Sequence, residues 1–200
     1  MKKLQLLGLF VGLSSSAFAQ GTVELRNIFN SNTSPTATRD GLFFVCGASG
    51  PQLINMDFNA SFYGGSDSAN LTLLRTFAGP TATGDNAGGP GTFIDLSGTP
   101  FTIPGATTNA FFLINAWIGP APDYFSALFK GSSGIFRNPL GNPLASPPEV
   151  PTDLTEMPAV LIGPIGCPEP TTFGLCALGA VALAVFRRGL QSDTIRRQRP

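Results

Sequence analysis

From Thr22 to Ile162 the apolar residues come in short runs broken by Gly, Pro, Asn and Asp, and no stretch there sustains a period of 3.6. The runs predict strands at Thr22–Phe29, Leu42–Cys46, Phe58–Tyr63, Leu71–Phe77, Thr92–Leu96, Phe101–Ile103, Ala110–Ile118, Tyr124–Phe129 and Ala159–Ile162. Phe58-Asn59-Ala60-Ser61-Phe62 alternates, so it has one inward and one outward face, whereas Ala110–Ile118 is almost continuously apolar and suits a central strand covered on both sides. Turn signals about every ten residues make the expected fold all-β, a single antiparallel β-sandwich of the jelly-roll or Ig-like kind over residues 20–166. Pro143, Pro147, Pro148, Pro151 and Pro158 keep the segment 141–158 out of any sheet interior. It reads as a long loop before a last strand, with a stalk as the alternative.

Two further apolar stretches are of a different kind. Lys2 and Lys3 precede the run Leu4–Leu13, which is followed by three serines and Ala17-Phe18-Ala19. That order is a Sec-type signal peptide over residues 1–19, with Ala17 and Ala19 sized for signal peptidase and Gln20 as the mature N-terminus. At the other end, Pro168-Glu169-Pro170 is followed by an apolar stretch to Phe186 and then by Arg187-Arg188. As a transmembrane helix, residues 171–186 would span roughly 24 Å against a hydrocarbon core of roughly 30 Å, a short span that local thinning of the bilayer accommodates. The arginine pair is a membrane stop that keeps the tail 189–200, which carries Arg196, Arg197 and Arg199, in the cytoplasm and the β domain outside.

The segment 167–188 resembles the PEP-CTERM sorting signal of Gram-negative bacteria, in Pro168-Glu169-Pro170, Thr171, the glycine-bearing apolar stretch and Arg187-Arg188. The resemblance implies recognition by a membrane exosortase and cleavage near Pro168–Pro170. It also implies transient anchoring in the inner membrane, release to the cell surface or medium, and an association with exopolysaccharide. In that family the chain normally stops within a few residues of the basic pair, whereas here Gly189–Pro200 follow. The stretch 58–117 also resembles a type of secreted domain found with such signals, through Phe58, Ala60, Phe62, Tyr63, Gly64, Gly65, Ala116 and Trp117. No activity comes with that likeness.

Composition narrows the chemistry. The chain has no histidine, which removes the Ser-His-Asp and Cys-His nucleophile systems and the commonest zinc ligand. Gly131-Ser132-Ser133-Gly134 lacks the spacing of a nucleophile elbow. Between Gln20 and Gly166 stand ten acids and five bases, an acidic domain without the field that attracts nucleic acid. Paired carboxylates such as Asp123 and Asp153 would suit a glycan-active enzyme, but acids in turns read more simply as solvated. Asp67 and Asp85 supply one carboxylate per loop, too few for a calcium loop, so neither a cofactor nor a metal is expected. Tyr63 and Trp117 are the rings a carbohydrate-binding module would stack on a sugar, although a core role suits Trp117 better. Cys46 reads as a buried thiol, with a bond to Cys167 as the alternative that export allows. The expected function is that of a non-catalytic surface or matrix protein handled by signal peptidase and exosortase, with the carbohydrate-binding module as runner-up.

Overall fold

The computed structural model describes residues 20–47, 49–77, 82–84 and 88–164, with 82–84 as backbone. Ala17, Ala19, the motif Pro168-Glu169-Pro170, the helix expected over 171–186, Arg187 and Arg188 lie outside the described residues. Among the described residues no helix is long and apolar enough to cross a membrane. They form β1 (Gly21–Val23), β2 (Phe43–Gly47), β3 (Gly50–Leu53), β4 (Asn59–Gly65), β5 (Thr72–Phe77), β6 (Ala82–Gly84), β7 (Gly89–Ile94), β8 (Phe101–Ile103), β9 (Asn109–Ile118), β10 (Phe129–Pro139) and β11 (Val160–Pro164). The fold is all-β with mixed sheets.

Seven strands share one sheet in the order β3-β2-β11-β10-β9-β4-β5, and β1-β8 and β6-β7 form two-stranded ribbons. β9 is the continuously apolar run, and it pairs antiparallel with β4 on one side and β10 on the other. Its even positions, Ala110, Phe112, Ile114 and Ala116, enter the core, so its odd positions Phe111, Leu113, Asn115 and Trp117 face the opposite way. β7 brings Phe93 against the core face of the large sheet. Its ring stacks on Phe62 with centroids 4.9 Å apart and meets Phe77 edge-on at 4.8 Å, while Phe43 and Phe58 lie 4.6 Å from each other beside it. Aromatic pairs of this kind contribute about 0.5–1.5 kcal/mol each beyond area burial.

Polar side chains tie the irregular segments to this core. Asn27 is fully buried, accepting from the Phe93 amide at 2.6 Å and donating to the Gly41 and Gly91 carbonyls. Asn138, also fully buried, donates to the Pro139 and Asp153 carbonyls and accepts from the Glu156 amide. Each amide thereby satisfies backbone groups that no neighbouring strand reaches. Arg75 of β5 donates from Nη1 to both oxygens of Asp95, at 2.9 and 2.7 Å, and its guanidinium lies over Phe101 and Phe77. That clamp joins the edge of the large sheet to the segment after β7.

The structure corrects the expected fold in four places. The sheet is not purely antiparallel, because β2 and β11 pair in parallel, Val160 opposite Phe43 through Ile162 opposite Val45. The physical reason is the connection from β10. Residues 141–158 loop back beside residues 37–42, with Gly41 donating to Met157 and Val160 to Leu42, so β11 enters alongside β2 in the same direction. Seven strands in one sheet also differ from the Ig pattern, which divides seven between two. The strand expected at Thr22–Phe29 stops at Val23, since the following residues change partners, Val23 bridging Thr152 and Arg26 bridging Ile94. The strand expected at Tyr124–Phe129 is a turn, and the long strand lies after it. After its first two residues β10 runs through Gly131-Ser132-Ser133-Gly134, which forms a bulge opposite β9 with Gly134 at φ +68°, and Ser133 Oγ accepts the Ile114 amide that the bulge leaves without a ladder partner.

Candidate functional site

The β9–β10 connection, residues 119–128, stands at one end of the large sheet and folds over the outer face. It is held by side chains from the strands below it. Trp117 is 1% exposed and donates from Nε1 to the Ala121 carbonyl at 3.0 Å. Lys130 is the register partner of Trp117, so the two side chains rise on the same face. Its ammonium donates to the Phe125 carbonyl at 2.7 Å and sits 5.3 Å from the centre of the Tyr124 ring. Asn59 donates to the Gly119 carbonyl. Within the loop, Asp123 Oδ1 accepts from the Ser126 amide at 2.8 Å and from its hydroxyl at 2.9 Å. The backbone N–H of Ser126, then its hydroxyl, hold the Asp123 carboxyl below its ordinary value of 3.8, with Lys130 adding a smaller electrostatic contribution.

This scaffold leaves the loop's two largest aliphatic and aromatic tip side chains in the open, beside the exposed Asp123 and Ser126. Ala127 is buried beneath the loop, while Phe125 is 78% and Leu128 77% exposed, with Phe129 at 45% beside them. Pro120 and Pro122 stiffen the approach. Sequence reasoning placed a strand here and missed the loop. The signal that could have found it is Pro120-Ala121-Pro122-Asp123 with Ser126 three residues on, an Asx-type turn signature.

The residues singled out from sequence for chemistry do not assemble around one point. Tyr63 and Trp117 share the outer face, but Trp117 pairs with Asn59 and Tyr63 with Leu113, four positions along, or about 13 Å. Ser61 and Asn115 stand between them, and Trp117 is covered, so the two rings form no common stacking platform. Tyr63 is half-buried in a cross-strand row with Leu73, Leu113 and Ile135. Asp123 lies by Phe129 at one end of β10, and Asp153 lies at the other end, where its carbonyl meets Asn138 and its carboxylate is bound by Arg26. That pair cannot flank one glycosidic bond.

No family model, curated protein or solved structure matches the chain.

Asp67 makes a turn of its own, accepting from the Ala69 amide and from Asn70 Nδ2. Among the described residues no three of His, Cys, Asp and Glu come together as a metal-donor set. Cys46 is half-buried and disulfide-bonded, not the buried free thiol expected; the chain's other cysteines, Cys167 and Cys176, lie outside the described residues. The pocket lined by Glu24, Arg26, Asp95 and Thr99 holds about 50 Å³, small for a sugar ring. A recess of about 230 Å³ at Asp57, Phe58, Asn59 and Gly119 adjoins the base of the 119–128 loop.

Proposed function

We propose that the chain is an exported, exosortase-sorted surface or matrix protein whose β domain is a non-catalytic cargo. The observation that carries the reading is the order of Pro168-Glu169-Pro170, the apolar stretch 171–186 and Arg187-Arg188 behind the domain. In support, β1 begins at Gly21, one residue after the expected mature N-terminus, and β11 ends at Pro164, four residues before the motif. The domain therefore falls between the two expected address segments. Its finer architecture we take to be a two-layer sandwich, with the ribbons of β1-β8 and β6-β7 facing the seven-stranded sheet; the Phe93 contacts support that arrangement.

A non-catalytic role draws support from the dispersal of the acids, with Asp153 and Asp95 committed to arginines and Asp123 to its own turn. The burial of Trp117 argues against a sugar-stacking surface built on that ring. Exopolysaccharide remains the partner class that the sorting signal's associations suggest.

Glu169 provides the test. It stands between Pro168 and Pro170 in the sequence, and a proline biases the residue before it towards extended backbone, the form a membrane enzyme would read. In cells carrying the cognate exosortase, Glu169→Ala leaves the melting of the domain unchanged but holds the protein in the inner membrane as an uncleaved species. Glu156→Ala is the matched control, since Glu156 makes only a 3.5 Å surface contact with Arg39 through its side chain. Normal size and amount of Glu169→Ala at the surface would sink the sorting reading.

A further inference from the structure

We propose that the 119–128 loop is a membrane-contact element, and that Phe125 and Leu128 dip into the phospholipid interface while the chain is anchored through residues 171–186. The inference rests on the anchoring part of the proposed function and adds a second, reversible contact to it.

Three observations carry it. The first is where the chain leaves the domain. Pro164, the last residue of β11, is the register partner of Phe129, so the polypeptide exits directly across the ladder from the base of this loop. Seven Cα steps lead from Pro164 to Thr171, a covalent reach of at most roughly 25 Å. β10 itself, at eleven residues, extends about 35 Å to its other end, so the loop and the exit share the near end of the sheet.

The second observation is the construction of the loop. Exposed Phe and Leu side chains are common singly, but these two are presented by a scaffold that fixes their backbone. Trp117 and Lys130 hold the carbonyls of Ala121 and Phe125, and Asp123 closes the turn on Ser126. Ordering entropy is therefore largely met before contact, and insertion gains the burial of apolar surface with little further loss.

The third is charge. The Lys130 ammonium is folded onto the Phe125 carbonyl and the Tyr124 ring, and the exposed Asp123 carboxylate, bonded to Ser126, is the one charged side chain of residues 119–128, so it stays in water at the headgroup level while Phe125 and Leu128 enter. Tyr124 adds the amphipathic ring characteristic of the headgroup level. Two apolar side chains alone would bind a bilayer weakly. A tether that confines them near the surface raises their effective concentration enough to keep them engaged.

The test uses the full mature chain from Gln20, reconstituted in phosphatidylcholine vesicles with and without bromine high on the acyl chains. Two variants each carry one added tryptophan: Phe125→Trp at the loop tip, and Val150→Trp, at an equally exposed site (79%) beyond the far end of β10. The unsubstituted chain, with Trp117 alone, supplies the background. Added emission from Phe125→Trp is expected to fall to about half in the brominated vesicles, as for a ring roughly 5–10 Å into the interface, and that from Val150→Trp to stay unchanged. If the chain floats with the vesicles but Phe125→Trp is quenched no more than Val150→Trp, the loop inference is overturned and anchoring stands. If the chain does not float, the anchoring reading fails and takes the inference with it.

Discussion

The two ends of β10 are both closed by irregular chain, and they are built on opposite terms. At the Pro139 end, residues 141–158 and 24–41 interlock through buried amides. Asn138 bonds to three backbone groups, Asn30 donates to the carbonyls of Gly41 and Leu154, and Leu154 and Met157 are fully buried. At the Phe129 end the loop is held at a few points from below, while its apolar side chains face out. One end spends its polar contacts on closing the core, and the other on presenting a surface. A loop rich in prolines is thus no guide to exposure; what decides is whether a buried side chain completes its backbone hydrogen bonds.

The sharpest way to break that comparison is at the closed end. Asn138→Ala removes two donors and one acceptor from a fully buried site and strands the groups they served. The expected loss is about 3 kcal/mol of unfolding free energy, read by denaturant titration of the full chain. A loss under about 0.5 kcal/mol would mean that water replaces the amide and that this end is less closed than its geometry implies.

Next in size is the bulge between the two ends. Ser133→Ala takes away the oxygen that accepts the amide of fully buried Ile114, and about 1–3 kcal/mol should go with it. Ser132→Ala at the neighbouring exposed position is the control, since its hydroxyl serves only the Gly134 amide at 3.3 Å. Equal effects of the two would refute the assignment.

The bulge also explains what could be read in advance. β4, β5, β8 and β9 follow runs of β-type residues that mark them as strands, and in the run that becomes β4 the alternation of Phe58, Ala60 and Phe62 also states which face is inward. β10 does not, because Gly131-Ser132-Ser133-Gly134 reads as a turn, and after the bulge only Phe136 and Asn138 point to the buried side. Asn27 and Asn138 were invisible for a related reason: asparagine signals a turn, and its role as a substitute for strand pairing exists only once distant segments meet. The parallel β2–β11 pair is fixed by such long-range contacts, with no helix among the described residues between the strands to announce it. The apolar loop was misread as a strand because Tyr124, Phe125, Leu128 and Phe129 have strand composition, and composition does not say which way side chains point.

At the open end the effects are smaller and local. Trp117→Phe keeps most of the apolar volume over the sheet but removes the bond to the Ala121 carbonyl, so global stability should drop by only about 1–2 kcal/mol. The loop should respond more than the domain does, with faster hydrogen exchange in peptides covering 119–128 and unchanged exchange in β4 and β9. Uniform acceleration across the sheet would show that the indole supports the core as a whole and not the loop in particular.

The smallest expected effect lies in the Asp123 turn and can be read by pH. The Ser126 amide and hydroxyl bond to the charged form of Asp123, so its carboxyl titrates below the ordinary value of 3.8 in the folded protein. A folded value below the unfolded one means that the turn's contribution is fully present above about pH 4, near the unfolded value. It is lost as the pH falls through the lowered folded value. Because Asp123 is fully exposed, the change belongs to the loop and leaves domain stability nearly untouched. The Ser126 amide resonance reports it: in a pH titration followed by NMR its shift should move with a midpoint below 3.8, and in Asp123→Ala that transition should vanish. A midpoint at or above 3.8 would mean that the Ser126 bonds do not form in solution. The loop would then lack the closing contact that fixes Phe125 and Leu128 outward, and the contrast between the two ends of β10 would reduce to one of sequence composition.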